Sequence, residues 1–390
     1  MDNVKLVTMA SAFRGLGFSS IWIYSSIYMN SFLKLPTIFI SVVFLVGGLF
    51  SSISQYAGGR LGDLVGHKPV YNLFMFLSFL ASLFYSISPV ITGSQFYYSI
   101  ILGIIMIMNG LQSPSSNALV SQSSQVQLKG FSILRVGNNL GWGFGPAIGG
   151  FILSFLGFQY LFYFFTIFSL LSFLITLFVS RIEAKPTVKQ INFRTSNIAL
   201  IILSFSAMFL FMVQAQETIS LSIYSNEIFS GTYYNIGIIY MINGLLVVIT
   251  QPIFYKLAKR TGEYISLTLG GLIYTLGFMT YGLDSNLWQM IISTAILTFG
   301  ENMAFPTGYS IIAEISRKER IGTNIGIYNA FISIGRATGP LLGGYFLPLV
   351  SNHLLLWTLV TIPGFAATII LILSIRVIED YRHRFNSPVS

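Results

Sequence analysis

The chain has no cysteine and only three histidines, His67, His353 and His383, in 390 residues. The first absence excludes disulfides, thiolate catalysis and Cys-ligated zinc. The second, with all three His outside the apolar runs, argues against a histidine metal cluster. Charge is scarce too: Asp, Glu, Lys and Arg make up 8% of residues, where a soluble domain carries about 25%. No G-x-x-x-x-G-K-[ST] loop is present and no loop is long enough to hold an ATPase domain, which excludes nucleotide-driven chemistry. What the chain has instead is apolar mass, 54% of residues with a mean hydropathy of +0.75. So little charge cannot cover a core of this size in water, so the solvent is largely lipid. The N-terminus has one Lys and no small-residue cleavage site, and its first apolar run reads as a retained span rather than a signal peptide.

A helix needs about 20 apolar residues to cross the hydrocarbon core. Twelve such runs lie between Gly, Pro and charge punctuation, at roughly 6–29, 37–58, 70–89, 96–119, 131–155, 158–180, 197–222, 234–255, 264–283, 287–311, 323–347 and 354–376. The expected fold is an all-α integral membrane protein with twelve transmembrane helices in two pseudo-symmetric six-helix bundles. The first bundle spans 1–180. A polar linker follows at 181–195, with Glu183, Lys185, Pro186, Lys189 and Arg194. The second bundle covers 196–377, and 378–390 form a tail.

Basic residues fix the expected orientation. Three of the 21 Lys and Arg fall inside spans (Arg14, Arg135 and Arg336). With both termini cytoplasmic, 17 of the other 18 lie inside and only Lys34 outside, the asymmetry that cytoplasmic loops favour. A basic face toward anionic headgroups accounts for the net charge of +9 without nucleic acid.

The halves repeat each other. Gln55, Leu61 and Gly66 fall on Gln251, Leu257 and Gly262 at an offset of 196, as Ser26-Ile27-Tyr28 fall on Ser222-Ile223-Tyr224. Pro114 meets Pro306 at 192. In span 5, Gly141, Gly145, Pro146, Gly149 and Gly150 recur in span 11 as Gly335, Gly339, Pro340, Gly343 and Gly344, offset 194. Such a repeat, related by an axis along the membrane normal, is the build of transporters that rock around a midplane site.

The loop Gly59-Arg60-Leu61-Gly62-Asp63-Leu64-Val65-Gly66-His67-Lys68 resembles the signature of the major facilitator superfamily, a G-x-L-x-D-x-x-G-x-[RK] stretch between spans 2 and 3. With twelve spans and the half-repeat, the resemblance covers nearly the whole chain. It implies a gating loop of Gly59, Arg60, Asp63, Gly66 and Lys68, with Asp63 latching onto the start of span 11 near Gly322-Thr323 on the cytoplasmic side. Lys259 stands at the position equivalent to Asp63, so no mirror latch is expected. A plain N-cap or loop ion pair is the alternative role for Asp63. The glycine–proline stretch of span 5 resembles that of the superfamily's drug–proton antiporters. Its duplication, however, favours helix packing over a device specific to antiport. Those antiporters usually carry an Arg in mid span 4, where this chain has Asn109 and Gln112, and an acid in the first half's cavity, where spans 1 to 6 have none.

An ionisable group at mid-bilayer costs at least about 2.5–3.5 kcal/mol, which makes each one a functional candidate. The resemblance assigns spans 1, 4, 7 and 10 to the central cavity. The candidate proton or substrate residues there are Glu301, Glu217, Gln214, Arg14, Asn109 and Gln112, joined by Arg336. Glu301 stands roughly 21 Å into its span and Gln214 shares a face with Glu217. Arg336 lies on a stripe with Asn329, Ser333 and Pro340, mirrored in span 5 by Arg135, Asn139, Trp142 and Pro146. A structural pairing of Arg336 with Glu301, snorkelling of Arg135, and an interfacial place for Glu217 are the alternatives, while Arg14 reads equally as an anion contact in the cavity or as a snorkelling side chain. Tyr24, Tyr28, Phe305 and Tyr309 are candidates for an aromatic wall.

The expected function is secondary transport of a small organic solute by alternating access. Proton-coupled efflux of amphipathic compounds comes first, and proton-coupled uptake of an organic anion or sugar is the alternative. A polytopic membrane enzyme would need a convergent acid/base, metal or nucleophile set, and none is visible. A channel lacks its charged or carbonyl filter signature. The expected partners are a small-molecule substrate, protons and membrane lipid, with no cofactor, no nucleic acid and a monomeric state.

Overall fold

The computed structural model describes residues 2–87, 95–124, 127–180, 198–316 and 321–386. The linker expected at 181–195 lies outside them. The described chain is helical: α1 Asn3–Ile27, α2 Thr37–Val65, α3 His67–Ser86, α4 Gln95–Ser123, α5 Gln127–Phe155, α6 Phe158–Leu177, α7 Ile198–Gln214, α8 Ser220–Phe229, α9 Tyr233–Thr261, α10 Glu263–Thr280, α11 Leu287–Glu314, α12 Ile321–Phe346 and α13 His353–Asn386. The seventh span expected from sequence is α7 and α8 together, broken by a single 3-10 turn, Ala215–Glu217, and it runs on to Phe229. Spans 8 to 12 are α9 to α13.

The chain is an all-α membrane protein. Among the described residues nine helical stretches are long and apolar enough to cross a membrane. The others of comparable length, α5, α11 and α12, have their apolar runs diluted by glycine or by Gln289, Glu301 and Asn302. These three carry the repeated glycines and Glu301.

Contacts divide the chain into two compact units, Met1–Lys189 with Leu221–Gly244, and Gln190–Ser220 with Leu245–Ser390. In the first unit α1 packs on α5 and α6, α2 on α4, and α3 on α4 and α6. In the second, α7 packs on α12 and α13, and α10 on α11 and α13. Asn302 of α11 donates to Thr250 Oγ1 of α9 at 2.8 Å, completing the same scheme. In hydrocarbon every polar group needs an internal partner, and small residues allow backbones to meet. Ser172 Oγ donates to Ala10 O at 2.6 Å and Thr166 Oγ1 to Ser82 O at 2.9 Å, tying α6 to α1 and α3.

The repeat holds at atomic detail. A Cβ at Gly141 would meet Ala12 O at 2.6 Å, and one at Gly145 would meet Leu16 O at 2.7 Å. At the matching positions, a Cβ at Gly335 would meet Met208 O at 2.1 Å, and one at Gly339 would meet Met212 O at 2.5 Å. Ala12 and Leu16 map onto Met208 and Met212 at the offset of 196. The glycine motif is therefore the seat of α5 on α1 and of α12 on α7, where backbones approach too closely for any side chain. The hairpin turns repeat as well. Gly66 joins α2 to α3 at φ 97° and Gly262 joins α9 to α10 at φ 91°, backbone that glycine adopts without strain.

Candidate functional site

The second unit gathers charge around the break in span 7. The break has a local cause in Gln216, whose Nε2 donates to Met212 O at 3.0 Å and to Gly339 O at 2.8 Å. Its Oε1 accepts from Ser220 Oγ at 2.7 Å. One buried amide thus holds the tightened turn and ties it to α12 at the point where glycine leaves the backbone open. Glu217, the last residue of that turn, is half-buried. Glu217, Glu301 and Arg336 lie within electrostatic reach of one another, and Tyr274 of α10 feels all three.

Arg336 is held from two sides. Its Nε donates to Gln214 Oε1 at 3.0 Å, and its guanidinium carbon stands 4.6 Å from the centre of the Phe211 ring. Phe211 stacks on Phe305 with centroids 4.5 Å apart, and Phe305 meets Tyr274 edge-on at 5.1 Å. Face-on aromatic contact stabilises a cation by about 0.5–1 kcal/mol at an exposed position. Four elements, α7, α10, α11 and α12, converge here. With Glu217, Glu301 and Arg336 all ionised, the cluster keeps one net negative charge, which one proton or one cationic group would neutralise.

The first unit has a different polar centre. Arg14 Nη1 of α1 donates to Asn109 Oδ1 of α4 at 3.1 Å, and Gln112 Nε2 donates to the same oxygen at 3.3 Å. The outward stripe of α5, Arg135, Asn139 and Trp142, is exposed, as are Asn329 and Arg336 on α12. Each helix therefore packs its glycines on one face and presents polar groups on another. Asn329 accepts from Tyr309 at 2.7 Å.

Sequence reasoning named most of these residues but missed Phe211, Tyr274 and Gln216. The aromatics hide among 35 Phe and 21 Tyr. Gln216 had a usable signal, since it maps onto Ser20 at the repeat offset, opposite the glycine motif. Tyr24 and Tyr28 are both buried. They pack inside the first unit, where Tyr24 donates to Pro146 O at 2.8 Å and Tyr28 lies against Tyr98 and Phe158. The half-exposed Asp63 carboxylate stands 3.4 Å from His67 Nε2. Lys68 and Arg60 flank this turn. The side chains of Gly322 and Thr323, expected at the latch, lie outside the described residues.

The family model described as Major Facilitator Superfamily matches residues 7–284 and 200–388, which together span almost the entire chain. The chain belongs to the major facilitator superfamily. An uncharacterized MFS-type transporter YttB of Bacillus subtilis (strain 168) is 25% identical over 358 residues, 87% of each chain. Multidrug resistance protein MdtG of Proteus mirabilis (strain HI4320) is 26% identical, covering 88% of this chain and 89% of its own. Among solved structures, the nucleoside transporter NupG superposes with a TM-score of 0.79 at 13% identity, covering 95% of this chain and 99% of that one. The POT family transporter PepTSo gives 0.80 at 13% identity, covering 97% and 98%. At such identity these likenesses show the fold alone. Membership of this superfamily makes the chain a membrane-embedded transporter of a small-molecule substrate and not an enzyme.

Proposed function

We propose that this transporter is a proton-coupled exporter of amphipathic compounds, with Glu301 as the coupling carboxylate and Glu217 and Arg336 as its electrostatic partners. The observation that carries this reading is the grouping of Glu217 at the break of span 7, Glu301 of α11 and Arg336 of α12 within electrostatic reach of one another. A net charge within a membrane span is costly, so two carboxylates and one guanidinium there favour taking up one proton or one cationic group. Alternating access then exchanges the two across the membrane. Relatives named multidrug resistance proteins, at low identity, support the substrate class. The placement of 17 of 18 loop Lys and Arg on one side supports cytoplasmic termini. The same reading gives Asp63 and its loop a gating role on that side.

Glu301→Gln mimics the protonated carboxyl. In proteoliposomes the variant is expected to keep substrate counterflow within about two-fold and to lose accumulation driven by a pH gradient, a loss of ten-fold or more for a coupling step. If accumulation survives, Glu301 is not the coupling group. If Glu301→Gln and Arg336→Gln each unfold the protein and the double variant recovers, the pair is structural and the proposal fails.

A further inference from the structure

We propose that the first unit carries a carboxylate-binding site on Arg14, so that the cargo of this transporter bears a carboxylate. The inference rests on the transport reading above and names the class of its substrate. Arg14 stands about 17 Å along α1, well inside the bilayer. Its guanidinium has no acidic partner among the described residues, and spans 1 to 6 contain no Asp or Glu to supply one. A buried cation left unpaired is costly, and proteins ordinarily pair it.

The donors are arranged for an oxyanion. Nη1 is spent on Asn109 Oδ1, at 3.1 Å. Nε, shielded from water, has no hydrogen-bond partner among the described residues, and neither does the buried Nδ2 of Asn109. An unused guanidinium edge of Nε and Nη2 presents two parallel N–H groups, the geometry that takes a carboxylate with two hydrogen bonds. Asn109 is itself oriented by Gln112, whose Nε2 shares the Oδ1 at 3.3 Å, and its Nδ2 is left as the second orphaned donor. Two orphaned buried donors, Arg14 Nε and Asn109 Nδ2, beside a guanidinium with no acidic partner among the described residues leave an acceptor to be supplied by a ligand. A purely structural arginine would instead be expected to have its buried N–H groups satisfied by the protein.

Rhodamine 110 and rhodamine 123 test this directly, because they differ only in a free carboxylate against its methyl ester. Binding to the detergent-purified full chain is read by fluorescence polarisation. A charge-assisted, bidentate contact corresponds to about ten-fold or more in affinity, so rhodamine 110 is expected to bind at least that much more tightly. Arg14→Gln is expected to erase the preference by weakening the acid alone. Asn109→Asp, which places a carboxylate on Nη1, is expected to erase it while keeping or raising the melting temperature. Equal affinities in the wild type, no binding of the acid, or an acid preference that survives Asn109→Asp would each overturn the proposal. Accumulation with and without a pH gradient is measured separately. Loss of gradient dependence alone sinks the coupling reading and leaves the acid preference standing.

Discussion

The two units share a scaffold down to single atoms and differ in chemistry. Gly141 and Gly145 seat α5 on α1 as Gly335 and Gly339 seat α12 on α7, against carbonyls that are themselves equivalent. At the candidate functional positions the equivalence ends. Arg14 maps onto Leu210, Ile21 onto Glu217, Asn109 onto Glu301 and Trp142 onto Arg336. Each unit has an arginine donating to an amide oxygen, Arg14 to Asn109 and Arg336 to Gln214, and the second unit adds two carboxylates and a broken helix. Packing constrains both copies in the same way, because a backbone contact under 3 Å admits no side chain in either. The groups facing away from those contacts are released from that constraint and have diverged.

The glycine seats give the largest expected effect. Gly335→Ala sets a Cβ 2.1 Å from Met208 O, and Gly141→Ala sets one 2.6 Å from Ala12 O. Backbone cannot swing aside as a long side chain can, so helix must part from helix. We expect Gly335→Ala to cost about 3 kcal/mol and Gly141→Ala somewhat less, both read as lower melting temperatures in detergent. If Gly335→Ala melts normally yet loses proton-driven accumulation, the motif acts in coupling and the packing comparison breaks.

A smaller effect is expected at Asp284, which follows the last turn of span 9 outside the membrane segments and is 8% exposed. Burial pushes its carboxyl up to about 6 from 3.8, against the pull of a hydrogen bond from Ser293. A carboxyl raised in the folded state binds its proton more tightly there. Its stabilising contribution is therefore complete below about pH 4 and is lost as pH rises through about 6. The wild type should gain on the order of 1–2 kcal/mol of stability between pH 7 and pH 4 relative to Asp284→Asn. Parallel melting curves of the two proteins across that range would refute the shift.

Much of the fold was legible because its signals are strong. Twelve apolar runs, a duplicated glycine–proline motif and the Gly66/Gly262 pair each follow from lipid solvation or from backbone that only glycine tolerates. The candidate charges were legible for the same reason, since Arg14, Glu217, Glu301 and Arg336 stand out in apolar sequence. Their partners were not. Phe211 over Arg336 and Tyr274 beside the carboxylates are ordinary apolar positions until the helices are assembled. The 3-10 turn at Glu217 leaves no helix-breaking residue in the sequence, because Gln216 makes it through side-chain bonds to Gly339 and Ser220.

The smallest effect tests whether the repeat can be read as a guide to tolerance. Gly143 lies in α5 between the two seat glycines, yet a Cβ there meets nothing within 4 Å. Its counterpart at the offset of 194 is Ala337, which is buried in α12. The second unit therefore already holds the side chain that the first lacks. Glycine in a helix interior is less favourable than alanine by up to about 1 kcal/mol, chiefly through the freedom of the unfolded chain. Gly143→Ala is expected to raise the melting temperature slightly and leave counterflow unchanged. If it stabilises the protein but slows exchange, the space beside Gly143 closes in another conformer of the cycle. The glycine would then be retained for motion rather than for packing, and the two units would differ in dynamics as well as in chemistry.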